Sequence, residues 1–285
     1  MRAGKQNARS MTRGVLSILG LTIGLSIRHL GKLLTLSVLL KAPIFAAGVI
    51  LGFLQQPKTF VVVGVIYGLL AGPLLAGSGI FIVSSQVSQT VEALVGAVEA
   101  ASRRHWQFLL LWLIGIVILL ACAGPGLLVG ALGPTSALPG LLPVPAARTV
   151  AEVQPLLYLC GAVAAFWVFS VYAPAVPALF LEGLDAWTAL RRGRELSRGH
   201  RWRITGVVLG LLAIIFLLYL AFAPVARAVS AIDDEVNRRL LFVVLTFLRG
   251  GASFAVVSAG WVSLYEHLVS YQMLVARESD DDASA

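Results

Sequence analysis

The chain has 285 residues, of which 58% are hydrophobic and only 13% charged, and its mean hydropathy is +0.89. A water-soluble fold of this length cannot bury so much apolar surface, so a soluble enzyme or binding domain is excluded as the expectation. The net charge of +8 would suit nucleic acid, but the bases stand between apolar runs, where lipid headgroups would meet them.

Residues 1–14 read as a basic tail. The apolar stretch that follows, 15–27, lacks a small-residue cleavage site and precedes further spans, which argues against a removed signal peptide. Membrane-length runs then come at 33–54, 60–83, 108–129, 156–180, 204–223 and 240–264. Each approaches the ~20 residues that carry a helix across the apolar core. The expected fold is therefore an all-α polytopic transmembrane helical bundle of about six spans. Glycine and proline inside the runs are compatible with this, because small residues allow close helix contact and prolines make tolerated kinks in lipid. Between spans three and four, Gly133, Pro134, Pro139, Gly140, Pro143 and Pro145 break regular structure and predict a capping loop. Cys122 and Cys160 fall inside apolar runs and read as small buried hydrophobes, without a disulfide framework.

Charge sets the expected orientation. With the N-terminus inside, the inner segments carry Arg2, Lys5, Arg9, Arg13, Arg28, Lys32, Arg103, Arg104, Arg191, Arg192, Arg194, Arg198, Arg201, Arg203 and Arg277. The outer segments carry only Lys58, Arg148, Arg227, Arg238 and Arg239. This asymmetry predicts a multi-pass cell-membrane protein with both termini in the cytoplasm.

Three segments share one order: a short amphipathic helix, a basic junction with a histidine, then two spans. The junctions are Arg28-His29, Arg103-Arg104-His105 and Arg198-Gly199-His200, which suggests repeat units of about 15–83, 84–180 and 181–270 within a membrane domain of 15–270. Polar faces follow helical spacing at Arg13, Ser17, Gly20, Gly24 and Arg28, then at Gln89, Glu92, Gly96, Glu99 and Arg103. The third is Asp185, Thr188, Arg192, Glu195 and Gly199. On the second helix Val91, Leu94, Val95, Val98 and Ala101 form the opposite face; on the third, Ala186, Ala189, Leu190 and Gly193 do. Such helices are expected along the cytoplasmic interface, apolar side toward the lipid. Glu99–Arg103 and Arg191–Glu195 are spaced for ion pairs. Residues 271–285, with Glu278, Asp280, Asp281 and Asp282, read as a solvated, unstructured acidic tail.

The segment ALFLEGLDAWTALRRGRELSRGHRWRI, residues 178–204, supplies a more specific pattern: Glu182 ending a span, Ala189-Leu190-Arg191-Arg192, and the turn Leu196-Ser197-Arg198-Gly199. It resembles the signature of the glycerophosphoryl diester phosphodiesterase membrane-domain family, and LSIRHLGKLLTLSVLLKAPIF is similar to that family's entrance into its first span. The resemblance covers about 15–270 and makes Glu182, Arg191, Arg192, Arg198 and Gly199 a family-like interface motif. It departs where the family commonly has Ser-Trp after the paired arginines and this chain has Gly193-Arg194, a glycine expected to shorten or bend the interface helix. Trp187 and Trp202 remain as interface anchors. The soluble hydrolase barrel fused to some relatives has no counterpart here, so the resemblance implies a membrane module and not the hydrolase.

No residue pattern points to catalysis. His29, His105, His200 and His267 show no close ligand pair, and neither a phosphate-binding Gly-rich loop, a nucleophile elbow nor carboxylates at catalytic spacing occur. The expected role is therefore non-catalytic: structural, scaffolding or accessory in the cell envelope. The expected partners are membrane phospholipids and a protein partner or second copy, without cofactor, metal or nucleic acid. The alternatives are a small-solute or lipid transporter and a membrane-bound lipid-modifying enzyme. Lys41, midway through span one, and Arg249, within span six, form a candidate intramembrane polar site. A base near mid-membrane costs roughly 2.5–3.5 kcal/mol on insertion scales, so each needs a partner or a snorkelling route. Pro43 and Gly250-Gly251 are the expected helix breaks whose carbonyls would supply one.

Overall fold

The computed structural model describes residues 2–53, 57–85, 91–132 and 144–284, and among them every regular element is an α-helix. In chain order these are α1 (Arg2–Phe53), α2 (Pro57–Ser84), α3 (Val91–Arg103), α4 (His105–Leu132), α5 (Val144–Tyr172), α6 (Ala175–Leu181), α7 (Ala186–Ser197), α8 (Arg201–Ser230) and α9 (Glu235–Ser284). Six stretches are long and apolar enough to cross a bilayer: Gly14–Ala47, Ile66–Ser84, His105–Cys122, Pro155–Leu181, Arg201–Ser230 and Val236–Leu274. The fold class is thus the expected all-α polytopic bundle. Pro43, Pro73, Pro155 and Pro224 lie inside helices without ending them. Away from water the remaining backbone bonds have no competitor, so one missing donor is tolerated.

The packing of α1, α8 and α9 sets the frame. Ser26 on α1 reaches the carbonyl of Ala255 on α9 at 3.4 Å, and the rings of Phe45 and Phe247 lie 4.1 Å apart, so these two helices are antiparallel. Helix α8 runs parallel to α1, with Val15 over Gly206 and Leu19 over Gly210. A Cβ at residue 210 would lie 2.5 Å from Leu19, which is why a glycine stands at this crossing. In lipid, burying apolar side chains gains little, and close approach of this kind supplies much of the association energy.

Four expectations are corrected. No junction separates the 15–28 segment from span one, because α1 runs unbroken through Arg28 and His29. Its buried stripe, Ile18, Thr22, Ser26, His29 and Leu33, stays on one face at steps of three and four residues and ends on the neighbours Leu36 and Ser37. That face meets α8 and α9, so span one starts near Gly14. Second, the apolar faces of α3 and α7 are partly taken up by the bundle instead of being free for lipid. Ala97 and Ala101 are buried against α2, where the carbonyl of Ala97 accepts from Ser78, and Ala186, Ala189 and Gly193 are buried in the bundle. These small side chains offer little area for lipid insertion but permit backbone contact; Val95, on the same expected apolar face, is exposed. Third, α9 continues to Ser284, so the acidic segment is helix. Fourth, Cys160 is exposed on the bundle's flank, although Cys122 is partly covered. Of the loop expected from Gly133 to Pro145, residues 133–143 lie outside the described residues, and Pro145 stands in the first turn of α5.

Candidate functional site

The residues of the Glu182–Gly199 motif converge at the end of the bundle where α4 and α8 start and α5 and α9 approach their ends. Glu182 caps α6 and is followed by Gly183 at φ +70°, a conformation that costs a side-chain-bearing residue about 1–2 kcal/mol. The Arg104 guanidinium lies over that glycine, where a Cβ would stand 2.5 Å from Nη2. Asp185 then caps α7, accepting from the backbone N–H of Trp187 at 3.1 Å and of Thr188 at 3.2 Å. The bonds to Thr188 hold the Asp185 carboxyl below its ordinary range.

Glu182 and Arg192 are brought together. Arg192 donates from Nε to Glu182 at 3.0 Å and from Nη1 to Gln272 on α9 at 3.1 Å, and its guanidinium lies 3.9 Å from Glu195. Tyr265, also on α9, donates its hydroxyl hydrogen to the same Glu182 oxygen. Burial opposes the charge on Arg192, but the hydrogen bond and charge of Glu182 outweigh it and raise its pKa. The four side chains latch the α6–α7 turn onto α9. Glu195 therefore pairs with Arg192, not with Arg191 as the spacing suggested, whereas Glu99 and Arg103 do pair, at 2.8 Å.

Helix α7 lies as a crossbar between α4 and α5. Its first residue, Ala186, donates to Gln107 Oε1 near the start of α4 at 3.1 Å. Its last, Ser197, donates to the carbonyl of Val171 near the end of α5 at 2.5 Å. Gly193 does not end the helix, which continues to Ser197; it lets α7 touch α6, since a Cβ there would come within 2.9 Å of the Ala175 nitrogen. Arg191, Arg194 and Arg198 are exposed along the outer face with Trp187, and Gly199 at φ +78° ends the crossbar. Trp106 (77% exposed), Trp187 (63%) and Trp202 (66%) stand at this same end, as interfacial anchors would.

The histidines separate into different settings. His200 and His267 share a narrow crevice with Arg203 and Tyr271, the His200 and Tyr271 rings 4.4 Å apart. Burial, then Arg203 and His267, depress the pKa of His200. His105 stacks edge-on against Trp106, and His29 is buried within α1's inner stripe. Among the described residues no three His, Cys, Asp or Glu side chains converge to hold a metal.

Lys41 and Arg249 lie near one another without pairing. Lys41 Nζ rests 3.1 Å from the position a Cβ would take at Gly250, and the Arg249 guanidinium sits 4.2 Å over the ring of Tyr219 on α8. Neither Pro43 nor Gly250-Gly251 breaks its helix. The aromatic partner, Tyr219, is one that sequence reasoning missed, as are Tyr265 and Gln272 in the latch. Only rotation of α8 and α9 about their axes decides which side chains face the partner, and no local motif records it. Elsewhere on α1 and α9, Ser37, Ser258 and Ser263 are wholly buried, with hydroxyls that have no hydrogen-bond partner among the described residues.

Six apolar helices of membrane length define a multi-pass membrane protein, with the α7 crossbar and a polar latch at one end. Comparison with protein-family models, curated proteins and solved structures yields no match, so the reading of this chain rests on its own residues.

Proposed function

We propose that the chain is a non-catalytic protein of the cell membrane, with both termini cytoplasmic and a structural, scaffolding or accessory role in the envelope. The observation that carries this reading is the use made of Glu182. Its carboxylate accepts from Arg192 and Tyr265 and so joins three helices, where a catalytic acid or base would have to face a substrate. What the bundle presents outward at this end is the basic and tryptophan-bearing face of α7, a surface suited to headgroups or a partner. The excess of inner-side bases supports the orientation. The resemblance to the glycerophosphoryl diester phosphodiesterase membrane domain supports a membrane module without the hydrolase. Purification from native membranes in mild detergent should return a reproducible partner by mass spectrometry. A solitary protein that moves solute or lipid across reconstituted vesicles would overturn the proposal.

A second reading, lipid transport, is favoured by one observation: an apolar cavity of about 580 Å³ between α4 and α5. Transbilayer movement of labelled lipid in vesicles containing the purified chain would select this reading over the first.

A further inference from the structure

The cavity between α4 and α5 falls within the roughly 300–1,000 Å³ typical of ligand sites. Trp112 and Phe169 at its rim are exposed on the flank of the bundle, so it opens sideways. Its lining runs from Phe108 to Leu119 on α4 and from Ala162 to Tyr172 on α5, with Ala173 in the turn that follows. It stops there although the described side chains continue to Cys122 and back to Pro155. At 1.5 Å per residue that is about 16 Å, close to half of the ~30 Å hydrocarbon thickness. A spanning helix from a second protein would need a face along the whole crossing. An acyl chain needs one leaflet.

The groove also has a charged end. Leu190 of the α7 crossbar closes it, and the crossbar is stapled to both walls through Gln107 and Val171. Arg191 follows Leu190 directly, and Arg194 stands one helical turn further on. Both are exposed and neither joins an ion pair among the described residues. Guanidinium groups present paired donors that match phosphate oxygens.

We infer that this groove holds one acyl chain of an anionic phospholipid from the leaflet at the α7 end, with the lipid phosphate held by Arg191 and Arg194. The apolar walls match the chain in depth and chemistry, and the arginines match the headgroup in charge. Trp187, exposed on the same crossbar, supplies the amphipathic ring that settles at headgroup level. The site requires that the chain cross the bilayer and is independent of any protein partner.

The test uses the full chain in mild detergent, titrated with phosphatidylglycerol or phosphatidylcholine and read as one-lipid adducts by native mass spectrometry. Two surface arginines should give the anionic lipid a preference of roughly tenfold or more. Replacing both (Arg191→Gln with Arg194→Gln) should bring the two lipids to near parity while a chain is still bound. Gly115 lines the groove, and a Cβ there would meet nothing within 4 Å, so a side chain can start there without a backbone clash and Gly115→Phe should occupy the cavity. It should cut retention of both lipids at least tenfold, whereas Gly20→Phe, on the exposed face of α1, should not. If Gly115→Phe does not yield folded protein, Gly115→Leu should give a partial loss. Unchanged phosphatidylglycerol retention in the groove-filling variant, or a wild-type preference below about twofold, overturns the inference. A partner that still co-purifies after the lipid is lost keeps this result separate from the accessory role.

Discussion

Tyr265 on α9 donates its hydroxyl hydrogen to Glu182, the residue that closes α6, and the same carboxylate oxygen accepts from Arg192 on α7. One oxygen thus ties together elements that lie more than eighty residues apart in the chain. A hydrogen bond to a charged group contributes about 1.5–3 kcal/mol, so Tyr265→Phe should destabilise the bundle by that order in detergent unfolding. Arg192→Leu should cost at least as much, since it leaves Glu182 without its ion-pair partner. Because the two share an acceptor, the double variant should fall short of the sum by about 0.5 kcal/mol or more. Strict additivity would dissolve the latch into independent contacts.

Gly193 on α7 and Gly96 on α3 offer a paired test of how the α7 crossbar is seated. Both sit inside short amphipathic helices, but a Cβ at Gly193 would press on the Ala175 backbone at 2.9 Å while one at Gly96 meets nothing within 4 Å. Gly193→Ala should therefore destabilise by about 1–3 kcal/mol through overpacking. Gly96→Ala should stabilise by roughly 0.5–1 kcal/mol through lower chain entropy and better helix propensity. Thermal melts that moved the same way for both would show that α7 is not wedged against α6.

The His200 crevice predicts acid sensitivity. His200 faces Arg203 on its own helix and His267 and Tyr271 on α9, and its pKa lies below the ordinary 6.5 because of burial, Arg203 and His267. The unfolded chain takes up a proton near 6.5, while the folded chain does so only at lower pH. Between those values the unfolded state binds more protons, so stability falls as pH drops below about 6.5 and levels off beneath the folded pKa. His200→Gln should flatten this part of the profile in melts taken between about pH 8 and 5. An equal slope in both proteins would assign the acid sensitivity elsewhere.

Much of this was readable in the sequence, because hydropathy reports directly on the bilayer. All six spans lie where apolar runs do, and the inward and outward faces of α7 follow from helical spacing alone. Glu182 and Arg192 were recognisable as members of the motif, though not as partners of each other. Tyr265 and Gln272 were not, since nothing local distinguishes them from other polar residues on a span. The false junction at Arg28-His29 has a similar origin. Charge clusters look alike whether or not the helix breaks, but in α1 Arg28 points outward while His29, 5% exposed, turns into the bundle. In the other two units Arg104 and Gly199 interrupt the helix, and only Gly199, through its positive φ, leaves a sequence signal of doing so.

Arg249 and Tyr219 carry the last prediction. The guanidinium over the Tyr219 ring gains about 0.5–2 kcal/mol from the cation–π contact, against roughly 2.5–3.5 kcal/mol for placing the base in an apolar span. The pair is therefore a compromise in which the ring reduces a cost without cancelling it. Arg249→Leu removes both terms and should leave stability unchanged or raise it slightly. Tyr219→Leu removes only the favourable one and should destabilise by about 0.5–2 kcal/mol, an effect that disappears when Arg249 is already leucine. Lys41→Leu should act in the same direction as Arg249→Leu, because the Lys41 ammonium beside Gly250 likewise carries the cost of a base in an apolar span. Denaturant titration in mixed micelles measures all four variants, and cysteine placed at 41 or 249 reports access by aqueous thiol reagents in intact membranes. A neutral Tyr219→Leu, together with full aqueous access at 249, would show that the base snorkels to water and takes nothing from the ring.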